Sequence, residues 1–349
     1  MARIVHASNF SRKLKGAFQH SVEHKINNGL IRNGHAVSIF SDRDVARASS
    51  WLGHRAFGGA GANRAFAEFC RGVEPDLIVL GHADTVTAET LAALRQSLPG
   101  VRILQYNVDP VTEAPNVAAL KSKLEVVDAT LISSAGEALR PFYRPNRRLG
   151  FLPNPVDYSI EVGRCHERDD LPFDLFYACG NENTPRTVCG VETTSKEVLA
   201  TIAARLPKLS ILSPGARGEP NLRGGKYQRA LESAASGLNL SKRNDVYLYS
   251  SDRLAQLAGN GLAVLIDRAT GYADLFPEGE FVYFSTIDEL AEKIGRLAGD
   301  QAYRRSVAAA GRRRYHALFN EQAVAAYLVD VAFDRVDPAA YPWPTLHAF

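Results

Sequence analysis

The sequence has no uninterrupted apolar run of the ~18 residues that a membrane-spanning helix needs. Gly261-Leu-Ala-Val-Leu-Ile266 is typical of its apolar runs, and that length suits a buried strand. The start, Met1-Ala-Arg-Ile-Val, lacks the apolar core of a signal peptide. Four cysteines (Cys70, Cys165, Cys179 and Cys189) are irregularly spaced and include no Cys-x-x-Cys pair, which argues against a zinc site. They read as reduced thiols in a cytoplasmic protein. His6-Ala-Ser-Asn-Phe-Ser11, after the first expected strand, contains no glycine. That argues against a dinucleotide-dependent oxidoreductase, whose phosphate turn needs Gly-x-Gly-x-x-Gly. Gly224-Gly-Lys226 lacks the spacing of a P-loop. There is no basic-aromatic tract suited to single-stranded nucleic acid, so no nucleic-acid partner is expected. No short repeat points to a solenoid.

What is present is ordinary globular material: 349 residues, 46% hydrophobic and 23% charged. That length favours two domains. Residues 1–155 hold 19 Lys+Arg against 13 Asp+Glu, while the rest hold 22 against 25. A basic first half suits an anionic acceptor or a membrane surface, so a peripheral membrane contact is a candidate.

Ala2–His6 reads as a strand, followed by the polar stretch 8–16. Phe18, Val22, Ile26 and Leu30 then recur every four residues and predict a helix that Asn33-Gly34 stops. Ala36–Phe40 is the next strand, completing the unit from which parallel sheets are built. Strands at 75–80, 101–106 and 129–133 alternate with helices at 87–96 and 116–124. Residues 44–60 look irregular. Pro153-Asn-Pro155 and Cys165–Asp170 suggest an interdomain linker over 153–172. A second series follows from Phe173, with helices at 194–205, 227–235, 252–259, 287–298 and 301–318. Its strands fall at 209–212, 237–240, 263–266 and 281–284. The expected fold class is α/β with two facing Rossmann-like domains. The domains are 1–155, 170–322, and a C-terminal helix and tail, 323–349, crossing back to the first.

The most informative segment is Tyr249-Ser-Ser-Asp-Arg-Leu-Ala-Gln-Leu-Ala-Gly-Asn-Gly261, a loop and helix before a buried strand. Ser250 or Ser251 would cap the helix, whose free N–H groups suit a diphosphate. Arg253 would add charge-assisted bonds to phosphate, and Gln256 would reach a ribose hydroxyl. Gly259 and Gly261 would turn the helix end tightly into the strand.

This segment resembles the Ser-x-Arg-x-Phe-Glu-Ala-x-Ala-x-Gly signature of group 1 glycosyltransferases, especially their spore-maturation (CgeB-like) branch. Gly271-Tyr-Ala-Asp-Leu-Phe276, Asp288–Ile294 and Ala310-Gly-Arg-Arg-Arg314 continue the likeness, which covers about residues 237–320. The resemblance implies the GT-B fold and a nucleotide-sugar donor held by the second domain. It implies a saccharide, lipid-linked saccharide or protein acceptor, no metal and no cofactor beyond that co-substrate. Two departures leave the donor and the stereochemical course open. Gln256 stands in place of the family's ribose-binding Glu, and Leu248 in place of the second acidic residue of retaining enzymes.

Further donor-side candidates are Gly180 and Arg186, in the loop after the second domain's first strand, and Lys226, at a helix start. Lys13, Lys15 and Gly16 are candidates on the loop after the first strand. Asp109, ending its strand before Pro110, and Glu113 are candidates for the base that deprotonates an acceptor hydroxyl. His6, His20 and His82 are further candidates near the same sheet edge. Arg312-Arg-Arg314 reads as a solvated helix face. A nucleotide-sugar 2-epimerase, or a non-catalytic sugar-nucleotide-binding protein on the same scaffold, is the competing reading.

Overall fold

The computed structural model describes residues 1–12 and 16–349. Lys13 and Lys15 lie outside the described residues. The chain forms two compact units, one of residues 1–153 with 321–349, the other of residues 154–320.

The first unit begins with β1 (Arg3–Ser8), α1 (Val22–Arg32) and β2 (Ala36–Ser41). Then come α2 (Asp42–Ala48), α3 (Gly59–Val73), β3 (Leu77–Leu80), α4 (Ala88–Ser97) and β4 (Arg102–Asn107). Next are α5 (Ala114–Lys121), β5 (Ala129–Ile132) and β6 (Arg148–Phe151). The strands form one parallel sheet in the order β2-β1-β3-β4-β5-β6. All four residues of β3 are buried, as a central parallel strand covered on both faces requires.

The second unit contains β7 (Phe173–Phe176), the antiparallel hairpin β8 (Pro185–Val188) and β9 (Val191–Thr194), α6 (Ser195–Arg205) and β10 (Ile211–Leu212). It continues through α7 (Gly224–Leu231), β11 (Ala234–Asn239), α8 (Arg253–Gly259) and β12 (Ala263–Asp267). It ends with β13 (Val282–Phe284), α9 (Ile287–Gly299) and α10 (Gln301–Phe319). The five-stranded parallel sheet runs β10-β7-β11-β12-β13. The chain then returns as α11 (Glu321–Ala332) to the first unit. There Gly29 of α1 lies so close to α11 that an added Cβ would sit 2.0 Å from the Glu321 carbonyl.

Several sequence expectations are corrected. Residues 154–172 are packed into the second unit and are no linker. Asn154 donates to the Ser250 carbonyl, and Arg304 reaches the Cys165 and Arg168 carbonyls. The segment 44–60 is helical at its ends, in α2 and the start of α3, with the irregular stretch 49–58 between them broken only by a short 3-10 turn at Arg55–Phe57. The core face of α3 is Ala62, Phe66, Ala67 and Cys70, and small residues of this kind give a faint helical period. The hairpin β8–β9 and strand β6 add to the expected elements, and α7 starts at Gly224 instead of 227. Arg312 and Arg314 are not freely solvated: they donate to the Gly259 and Leu275 carbonyls.

Candidate functional site

In the second unit, the chain passes from β7 to its neighbour β10 and then crosses back to β11 on the other side of β7, so the strand order reverses there. Open α/β sheets bind ligands beyond the carboxyl ends of strands at such a switch point. Tyr177 directly follows β7, and Leu240 directly follows β11.

Two arginines converge on the Leu240 carbonyl. Arg186 donates from one guanidinium nitrogen at 2.9 Å and Arg253 at 3.0 Å. Arg186 also donates to the Ser195 hydroxyl at 3.0 Å. The Arg253 guanidinium lies 5.1 Å from the Tyr177 ring centre, over its face. Neither arginine has a carboxylate partner among the described residues. Arg186 is buried, and desolvation lowers its pKa, with the Arg253 charge acting in the same direction. Two like charges held together without a counter-ion leave strong donors for an anion. Polar atoms without hydrogen-bond partners occur nearby in the chain: both amide atoms of fully buried Asn239, the Ser251 hydroxyl and the Tyr177 hydroxyl.

The surrounding loops are pinned. Asn244 donates to the Thr187 carbonyl at 2.7 Å, tying the loop after β11 to β8. Asp267, ending β12, accepts the Cys189 N–H at 2.6 Å and the Ala269 N–H at 3.0 Å, and burial raises its pKa.

The sequence candidates fare unevenly. Arg186 is a strand residue and not a solvated loop arginine, and the structure brings it to Arg253. Neither serine caps α8: its N-cap is Asp252, with no side-chain capping bond. The Ser250 hydroxyl pairs instead with the Tyr272 hydroxyl at 3.0 Å, and the Ser251 N–H goes to the Ser241 hydroxyl. Gln256 is buried with both amide ends occupied, by Tyr227 and Asp252 at 2.7 Å each. It orders the packing of α7 against α8. Tyr249 is buried, Lys226 is exposed at the start of α7, and Gly180 is exposed after β7. Leu248 is fully buried with φ +53°. Gly261, with φ +77°, provides the expected turn after α8.

In the first unit, the carboxyl ends of β1, β3 and β4 hold a second polar site. The Ser8 hydroxyl accepts the His82 N–H at 3.1 Å. A Cβ on Gly81 would lie 2.4 Å from both the Ser8 and Tyr106 hydroxyl oxygens, so only glycine fits. A small cavity of about 20 Å3 is lined by Gly81, His82, Asp84, Asn107, Asn116 and Lys123. It has room for about one water or one ligand oxygen. Lys123 is buried and its ammonium donates to the Ala119 carbonyl at 3.2 Å. Desolvation lowers its pKa, against the pull of Asp84 and Asp42. Sequence reasoning missed Lys123, which belongs to no motif.

Asp109 lies two residues beyond β4 and does not end it, because β4 stops at Asn107. Its carboxylate is exposed and 3.7 Å from His82 Nδ1. Glu113 is at the N-cap of α5. His6 is fully buried, 3.1 Å from the Tyr106 hydroxyl, and burial pulls its pKa down to about 3. It is a neutral structural histidine. His20 is half-buried, and Gly16 is an exposed turn with φ +82°.

Residues 191–330 match the family described as glycosyl transferase-like. Sucrose-phosphate synthase from Thermosynechococcus elongatus has a similar structure. Its TM-score is 0.65 at 15% identity, covering 96% of this chain and 99% of that one. AviGT4, a glycosyltransferase involved in avilamycin A biosynthesis, gives 0.57 at 14% identity over 95% and 97%. HepE from Anabaena in complex with UDP-glucose gives 0.58 at 10% identity over 96% and 100%. No curated protein matches the chain by sequence. The fold is that of the GT-B glycosyltransferases, α/β with two Rossmann-like domains. The family match falls on the second unit and α11 and agrees with that fold.

Proposed function

We propose that the protein moves a sugar from a nucleotide-sugar donor to a hydroxyl of a saccharide, lipid-linked saccharide or protein acceptor. The observation that carries this reading is the Arg186–Arg253 pair on the Leu240 carbonyl, with neither guanidinium paired to a carboxylate among the described residues. A nucleoside diphosphate supplies the missing negative charge. As the bond to the anomeric carbon breaks, charge grows on the leaving diphosphate oxygen. Fixed guanidinium donors stabilise that charge without reorganising. No metal is required for this role. Arg253, Arg186 and Ser251 are the assigned diphosphate contacts, with Gly180, Tyr249 and Lys226 around them. Gln256 acts indirectly, through Tyr227.

The first unit presents the acceptor. If the reaction inverts, Asp109 is the base, directly or through His82, which it faces at 3.7 Å. Lys123 and Asn116 hold an acceptor oxygen in the cavity. The expected setting is the cytoplasm, and the CgeB-like branch is the assigned subfamily.

Thermal-shift measurements with nucleoside diphosphates test donor binding, since a ligand selective for the native state raises the melting temperature. Product analysis with and without acceptors separates the readings. Transfer only with acceptor supports a transferase, isomerised donor without acceptor an epimerase, and binding without turnover a non-catalytic protein.

A further inference from the structure

The loop between α2 and α3 exposes three large apolar side chains within seven residues. Trp51 is 100% exposed, Leu52 73% and Phe57 72%. Scattered exposed hydrophobics are normal, but a cluster at one loop tip marks a contact surface. The loop is built to hold them out. Ser50 is buried beneath it, and Gly53, with φ +63°, makes the turn. A Cβ on Gly58 would lie 1.6 Å from the Ala46 carbonyl oxygen, so the loop's return is pressed against α2. The Phe57 N–H donates to His54 and the Gly58 N–H to Arg55.

The charge along this stretch of chain has one sign. Between Asp44 and Glu68 the chain carries Arg47, Arg55 and Arg64 and no acidic residue. Arg47 is paired with Asp44, whereas Arg55 and Arg64 are exposed and carry no ion pair among the described residues. Tryptophan, leucine and phenylalanine flanked by arginine suit the boundary between headgroups and acyl chains of an anionic bilayer. No helix among the described residues is long and apolar enough to cross a membrane, so such contact would be peripheral.

We propose that this loop docks the protein on anionic lipid bilayers, with Trp51, Leu52 and Phe57 inserted and Arg55 and Arg64 at the headgroups. The contact does not depend on which sugar is moved.

The test uses the full chain and vesicles of phosphatidylcholine, with or without phosphatidylglycerol. The sequence has two tryptophans, and Trp343 is buried. A Trp343→Phe variant therefore reports on Trp51 alone. Its emission should shift to the blue on adding phosphatidylglycerol vesicles, and far less with phosphatidylcholine. Co-sedimentation of a Trp51→Ala/Leu52→Ala/Phe57→Ala variant should fall at least about ten-fold. Its nucleotide-induced thermal shift should stay at the wild-type value, since these exposed side chains carry no core. Arg55→Glu should weaken binding to the anionic vesicles only. Unshifted Trp51 emission, or equal co-sedimentation of the triple variant, overturns the proposal. So does self-association of the wild type that the triple variant abolishes, without vesicle binding, which would make the loop a contact between copies.

Discussion

Replacing Arg253 by alanine separates a ligand-binding arginine from a structural one. In the free protein, Arg253 gives one bond to the Leu240 carbonyl and stacks on Tyr177. The carbonyl keeps its bond from Arg186 at 2.9 Å, so Arg253→Ala leaves no orphaned acceptor. The stacking is worth about 0.5–1 kcal/mol, and relief of repulsion from Arg186 offsets part of it. The free protein should therefore lose less than about 1 kcal/mol. Nucleotide binding loses a charge-assisted bond to phosphate worth about 1.5–3 kcal/mol, or roughly a 10–150-fold rise in Kd. At a nucleoside diphosphate concentration 100 times the wild-type Kd, the ligand stabilises wild type by about 2.7 kcal/mol. With Kd raised 10–100-fold, the same concentration stabilises the variant by about 1.4–0.4 kcal/mol. Calorimetry and paired thermal melts, with and without ligand, read both quantities. Unchanged affinity in a folded variant refutes the anion-site reasoning. A large loss of stability in the free protein makes the arginine structural.

Three further outcomes are expected. Asp109→Asn and His82→Gln should each lower turnover by roughly 10²–10⁴-fold while leaving nucleotide affinity intact. Near-normal turnover in both places the base elsewhere or makes the reaction retaining. Gly29→Ala should destabilise the fold by about 1–3 kcal/mol or more, because the new methyl meets the Glu321 carbonyl and Ala325. A denaturant midpoint equal to wild type would show that α1 and α11 pack less closely. His6, held down to about 3 by burial, should make the protein less stable in acid. The unfolded chain takes up a proton near pH 6.5 that the folded chain refuses, so this stability is complete above pH 6.5 and is lost as pH falls towards 3. His6→Asn should flatten that part of the profile, and parallel urea midpoints for both proteins between pH 7 and 4 would contradict it.

Some of this protein is local and therefore readable in its sequence. The runs Leu77–Leu80 and Ala263–Ile266 are buried strands, as their shortness and their flanking Pro, Gly and Asp residues favour over a helix. Asn33-Gly34 ends α1, and Gly261 turns the chain after α8, because glycine takes positive φ without a steric penalty. The parallel α/β class follows from such signals, and so does the proposal of Arg253 as an anion contact. The tertiary structure decided the rest. Ser250 looked like a helix cap, but its hydroxyl found Tyr272, 22 residues later, and no local rule weighs that competition. Gln256 looked free for a ribose and is held at both ends. Arg186 and Arg253 lie on separate elements, and only strand order brings both to one carbonyl at the switch point of the sheet. Lys123 and the exposed Trp51 carry no motif, because burial and exposure are properties of the folded surface. Sequence patterns fix elements, whose period is local. Which charges share a site depends on chain topology and on which partners remain after packing.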